Sequence, residues 1–172
     1  QLNDAFFVFF LRKHSNSYKK SEQSIPKVYF IDNGLLTLNG VDDEGKLLEN
    51  LVFIELTRRN KDIAYYQNSL KEEVDFVIKK GKKINQLIQV SYDIGDYMTL
   101  EREINPLIKA SKEYKCSNLV LLTMHEKRLV KKKGKIITSE ITDHTKTNIY
   151  VAEQFLGKLF TIDDTNNTIT TK

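Results

Sequence analysis

The chain has 172 residues, 40% of them hydrophobic and 29% charged, a balance that suits one globular domain with a real core and excludes a largely disordered chain. Its single cysteine, Cys116, excludes an internal disulfide framework and a cysteine-based zinc site, and His14, His125 and His144 are scattered without metal-ligand spacing. A net charge of +4 and a pI near 9.0 mildly favour an anionic partner and decide no more than that.

In chain order, the sequence opens at Gln1 and reads as a piece of a longer protein. "AFFVFFL" (Ala5 to Leu11) is too short to span a bilayer and is interrupted by Arg12 and Lys13, so a buried strand or helix is expected. "KVYFID" (Lys27 to Asp32) alternates and carries β-branched and aromatic residues, which predicts a strand. Asp32 and Asn33 then read as an Asx-type turn. From about Leu47 to Arg59 the period becomes helical. Leu48, Leu51, Val52 and Glu55 fall at i, i+3, i+4 and i+7, which puts Glu55 in the apolar stripe.

"DIAYY" and "EVDFVI" are short strand-like runs, "KKGKK" is a turn and "LIQVSY" another strand. A hairpin centred near Lys82 places Asp75 opposite Gln89 with both side chains on one face. "TLEREINPLIKASKEY" has helical spacing, with Pro106 predicted to kink the helix or to mark its start. "NLVLLT" (Asn118 to Thr123) suits a strand covered on both faces. "KRLVKKKGKIIT" reads as a basic connection, "NIYV" as a short strand and "EQFLGKLF" as a short amphipathic helix. One domain over residues 1–160 and a polar tail over 161–172 are expected, in an α/β fold with a mixed sheet flanked by helices.

A carboxylate inside an apolar strand needs a partner or a role. Asp75 on a strand, Glu55 on the preceding helix, and the polar pair Gln89 and Ser91 on the next strand form a set that a hard divalent cation would recognise. The blocks "PKVYFIDNGLL", "LLENLVFIELTRRN", "IAYYQN", "EEVDFVI" and "LIQVSY", in this order, resemble the uncharacterised C-terminal domain found behind a P-loop module in prokaryotic AAA-type ATPases. That family resembles the PD-(D/E)xK nucleases. The resemblance implies a restriction-endonuclease-like fold, a cytoplasmic ATPase parent as partner, and a Mg²⁺ site built from Glu55, Asp75 and Gln89. It also makes Glu55, Asp75 and Gln89 the catalytic candidates. Ser91 stands at the usual lysine position, which marks the site as degraded or altered. Lys79 and Lys112 are the candidates for a lysine supplied from another element.

The sequence contains no G-x-x-x-x-G-K-[ST], so no ATP site is expected in it. Lys79, Lys80, Lys82 and Lys83 of the basic turn, with Arg58 and Arg59, are the candidate nucleic-acid contacts. The plainer structural readings run alongside. Glu55 pairs with Arg58, Arg59 or Lys79; Asp75 is a satisfied core acid; and the lysine turn is a solvated hairpin tip. Three functions follow: a nuclease-fold module that binds DNA or a partner without robust cleavage, a Mg²⁺-dependent DNA endonuclease, and an interaction or oligomerisation domain. None needs a membrane.

Overall fold

The computed structural model describes residues 7–15, 17–124, 129–132, 135–141, 160–163 and 168–171. A six-stranded sheet of order β3-β4-β5-β6-β8-β7 forms the centre. Its first half is antiparallel: β3 (Asp62–Gln67) pairs with β4 (Glu73–Lys80), and β4 with β5 (Lys83–Val90). The second half turns parallel. β5 runs beside β6 (Leu119–Thr123), and β6 beside β8 (Lys135–Ile141), with β7 (Leu129–Lys132) antiparallel at the edge. The parallel step from β5 to β6 needs a long crossover, and α4 (Tyr97–Tyr114) supplies it.

Two apolar layers clamp this sheet. On one face lie α3 (Glu44–Arg58) and the small antiparallel sheet of β1 (Val8–Leu11) and β2 (Lys27–Phe30), burying Val52, Phe53 and Leu56 against Phe76, Ile88 and Val90. On the other, α4 buries Ile104, Leu107 and Ile108 against Val77, Leu87 and Leu121. The side chains of β6 are buried from Leu119 to Thr123, as expected for a strand covered on both faces. The mixed α/β architecture read from the sequence is therefore the one observed.

Helix boundaries follow from capping. The Asp43 carboxylate accepts from the Lys46 N–H at 3.0 Å and starts α3, and Asp96 does the same for α4 through the Thr99 N–H at 2.9 Å. Asp32 caps α2 (Asn33–Leu38) by accepting from the Gly34 N–H at 2.6 Å, so the expected Asx turn is the first step of a helix. α4 continues through Pro106 and begins nine residues before it, so the proline does not mark its start; the packing of Ile104, Leu107 and Ile108 outweighs the missing donor.

Two further expectations change. The segment read as a basic connection contributes β7 and most of β8, because Leu129, Val130, Ile136 and Ile137 give strand character that its lysines obscure. The segment expected as a polar tail, 161–172, holds β10 (Thr168–Thr171) and all but the first residue of β9 (Phe160–Asp163), the two paired antiparallel. The predicted elements at "NIYV" and "EQFLGKLF" lie outside the described residues, apart from Phe160. A short helix, α1 (Tyr18–Glu22), completes the set.

The feature that shapes the site is a β-bulge. Ala64 pairs with Val77, but Tyr66 pairs with Val74, so Asp75 and Phe76 together oppose Tyr65. The strand alternation is broken there, and both residues reach the α3 side: Phe76 meets the Tyr29 ring at 5.9 Å and Asp75 meets Lys27.

Candidate functional site

Asp75 is buried and fully engaged. Its Oδ1 accepts from Lys27 Nζ at 2.9 Å and its Oδ2 from the Val90 N–H at 2.9 Å, so the side chain takes a ladder position that the bulge leaves open. Lys27 comes from β2. Its ammonium also lies 3.0 Å from Glu49 Oε1 on α3 and 3.3 Å from Glu73 Oε2 on β4. Tyr29 donates its hydroxyl to the same Glu49 oxygen at 2.6 Å, while its ring stacks on Phe53 at 4.1 Å. One cation thus gathers three carboxylates from two elements, held by an aromatic pair.

The electrostatics follow from that crowding. Burial and the neighbouring Glu49 charge push the Asp75 carboxyl up to about 6, against the opposing pull of Lys27 and the Val90 N–H. At Lys27, burial works to lower the pKa, but the charges of Asp75 and Glu49 and the hydrogen bonds to both prevail and raise it well above the usual lysine range. The two partners move in the same direction for different reasons. Burial raises Asp75 first, with the Glu49 charge adding to it, whereas the ammonium rises because it faces an excess of negative charge.

The other sequence candidates divide between separate places. Gln89 is in register with Asp75, one step beyond the Phe76–Ile88 pair, and its Oε1 receives the Asp75 N–H at 3.4 Å. Its side chain, however, shares the α4 side with Leu87, and its amide donates to Glu103 Oε2 on α4 at 2.8 Å. The expectation of one shared face therefore fails, because the bulge turns Asp75 towards α3. Ser91 is buried and donates its hydroxyl to the Asp93 carbonyl at 2.9 Å. Glu55 is bound at both oxygens, to Arg58 at 2.9 Å and Arg59 at 2.7 Å. The α3 acid brought to the Asp75 cluster is Glu49, six residues and about 9 Å earlier on the helix.

Of the lysines expected as substitutes, Lys79 pairs with Asp62 at 2.8 Å and Lys112 is exposed. Lys27 was missed. Its signal is its place in "KVYFID", on the same face of the strand as the buried Tyr29. Glu49 was missed because it flanks the apolar stripe instead of lying within it. The basic turn projects from the far end of the hairpin, with Lys80, Lys82 and Lys83 exposed. Lys80 is five positions beyond Asp75 on β4, roughly 17 Å along the strand. Arg58 and Arg59 lie at that same end, where α3 finishes ahead of β3.

Among the described residues no group of three or more His, Cys, Asp or Glu side chains is arranged to hold a metal ion. The donor set explains this. The space between Asp75, Glu49 and Glu73 is filled by the Lys27 ammonium, so a divalent cation does not fit while Lys27 keeps its place.

Fold and site together define a mixed α/β domain with a half-buried lysine–carboxylate cluster around the buried Asp75, under a β-bulge. Residues 44–142 match a family model described as a domain of unknown function, DUF4143, and the chain belongs to that family. It is 37% identical over 123 residues to Uncharacterized protein MJ1544 of Methanocaldococcus jannaschii, a stretch covering 69% of this chain and 27% of that protein. A shorter match of 30 residues, 60% identical, links it to the RNA 3'-terminal phosphate cyclase of Pyrococcus abyssi, covering 17% of this chain and 9% of the cyclase. The chain thus spans about a quarter or less of the curated relatives it matches. Among solved structures, the half-complex from the tetradecameric assembly of Thermococcus gammatolerans McrB AAA+ hexamers with bound McrC is similar, with a TM-score of 0.47 and 15% identity over 67% of this chain and 33% of that one. Among the described residues no helix is long and apolar enough to cross a membrane.

Proposed function

We propose that this chain is a restriction-endonuclease-like module carried by a P-loop ATPase, and that it binds nucleic acid without cutting it. The observation that carries the reading is the Lys27 ammonium, 2.9–3.3 Å from Asp75, Glu49 and Glu73. A metal-dependent nuclease places a divalent ion among its acids; here a side-chain cation neutralises them from within. Gln89 and Ser91, engaged with Glu103 and Asp93, add neither a second charge nor a free cation. The ATPase parent rests on the ordered sequence blocks, and the 27% coverage of the longer relative leaves room for it. Nucleic acid is favoured as ligand by the basic end of the sheet, where Lys80, Lys82 and Lys83 are exposed.

Calorimetric titration of Mn²⁺ and Mg²⁺ into the wild type and Asp75→Ala tests the cluster without any guess at substrate. No stoichiometric site in either folded protein is expected. A site in the wild type that Asp75→Ala abolishes would overturn the non-cleaving reading.

A second reading has an observation of its own. Lys27 is a lysine from another element beside Asp75, the arrangement that a nuclease with a displaced lysine requires. That endonuclease would have to move Lys27 off the carboxylates to admit Mg²⁺. Cleavage of DNA that depends on both Mg²⁺ and Lys27 would select it.

A further inference from the structure

A groove of about 630 Å³ runs between β1, the C-terminal end of α3 and the start of β3. Its apolar wall holds Phe9 and Phe53, whose rings lie 5.7 Å apart, with Phe10 at the lip. Phe10 is 50% exposed, so an aromatic ring stands available to solvent beside the opening. The opposite rim is polar, formed by Thr57, Asn60 and Lys61.

The rim continues into a row of cations. Asp62 opposes Lys79, which sets Lys61 opposite Lys80, and Lys80 in turn opposes Lys83. Neighbouring strands are about 5 Å apart, so Lys61, just ahead of β3, lines up with Lys80 of β4 and Lys83 of β5 along one end of the sheet. Like charges set directly opposite one another are destabilising. Lys61 has its pKa lowered by burial and then by the charges of Arg59 and Lys80, which places all three cations near one another. Asp62, the acid on this rim, is already paired with Lys79 at 2.8 Å.

An exposed aromatic ring, Phe10, beside a line of cations is the pairing that single-stranded nucleic acid needs. Phosphates follow the charges while unstacked bases lie on the rings. A duplex keeps its bases stacked inside and offers the rings nothing. We infer that the groove between β1 and the end of α3 binds single-stranded nucleic acid, with Phe10 as a stacking platform and Lys61, Lys80 and Lys83 along the phosphates. This rests on the nucleic-acid reading above and names the form of the ligand and the place it binds. The sequence hid it, since Phe10 and Lys80 are 70 positions apart.

Fluorescence anisotropy with labelled oligo-dT and oligo-rU of about 15 nucleotides, against a duplex of the same length, tests it on this chain. Both single strands are expected to bind more tightly than the duplex, and their ratio reports any preference for DNA or RNA. Phe10→Ala is expected to weaken single-strand binding about tenfold, the loss of one stacked base, with the salt slope unchanged. Lys80→Ala is expected to weaken it and to flatten the salt slope by about 0.7. Circular dichroism melts confirm that both variants fold, which their exposed positions favour. Duplex binding equal to single-strand binding and indifferent to Phe10→Ala would sink the groove but leave the nucleic-acid reading standing. Absence of salt-sensitive binding to any probe would sink both.

Discussion

The Lys27 ammonium stands 2.9 Å from the Asp75 carboxylate and ties β2 to β4 across 48 positions of sequence. Everything the site does follows from that link, because it sets a permanent positive charge where the acids converge. Removing the cation should therefore be worse than removing an ordinary surface partner. Lys27→Met is expected to destabilise the fold by about 3 kcal/mol, since it strands buried Asp75 against Glu49 without compensation. Adding Asp75→Asn should recover much of that loss. Urea unfolding of the two singles and the double closes the cycle; additive losses would mean that the two residues are not coupled.

The pH dependence has a definite sign. Asp75 has a folded pKa near 6, above its ordinary value of 3.8, so between these values the folded state binds more protons than the unfolded one. Stability then falls as pH rises through that window, by up to about 3 kcal/mol from roughly 1.4 kcal/mol per unit. Asp75→Asn lacks the ionisation, so its stability relative to wild type should grow from pH 4 to pH 7. Thermal melts of both proteins across that range measure the gap. A constant gap would place the Asp75 pKa near its ordinary value.

The two acids of α3 predict different outcomes. Glu49 is among the causes that raise the Asp75 pKa, whereas Glu55 is held by Arg58 and Arg59. Glu49→Gln should bring the Asp75 titration down towards the ordinary range, and Glu55→Gln should leave it in place while costing about 1 kcal/mol or less. Carboxyl carbon NMR of Asp75 in each variant reads this directly. A shift on Glu55→Gln equal to that on Glu49→Gln would restore Glu55 to the site.

How far the sequence reveals this site depends on the distance between the residues involved. Periodicity marks Asp75 as misplaced in an apolar strand and puts it in register with Gln89, because a hairpin closed over Gly81 and Lys82 is local. Gly81, at φ +62°, supplies the conformation that turn needs. The partner cation is a tertiary fact: nothing near Asp75 in the chain announces a lysine on β2. The choice between Glu49 and Glu55 is harder still. A helical stripe ranks residues by burial, and it favours Glu55, whereas the docking of Tyr29 on Phe53 brings Glu49 to the cluster. The bulge is equally silent, since one extra residue in β4 changes no composition yet turns Asp75 away from Gln89. Lysine-rich strands mislead in the other direction, as at β7 and β8, where a charge run hides β-branched residues.

The sharpest test of this geometry installs, at Gln89 and Ser91, the triplet that the nuclease resemblance would require. If Gln89 and Ser91 were the only departures from a working site, Gln89→Glu with Ser91→Lys would restore metal binding and cleavage. The structure predicts otherwise. Gln89 donates to Glu103 at 2.8 Å, and both side chains are buried, so a glutamate there meets a carboxylate and loses its donor. The Gln89→Glu protein should lose about 3 kcal/mol of stability, and Glu103→Gln added to it should recover much of that by exchanging the roles of donor and acceptor. Neither variant nor the double with Ser91→Lys should gain a Mn²⁺ site, because Lys27 still fills the space beside Asp75. Calorimetry and plasmid cleavage read the metal and the activity; denaturation reads the stability. A Mn²⁺ site that appears with Gln89→Glu would mean that Gln89 and Asp75 turn to one face after all, and that charge alone separates this domain from a nuclease.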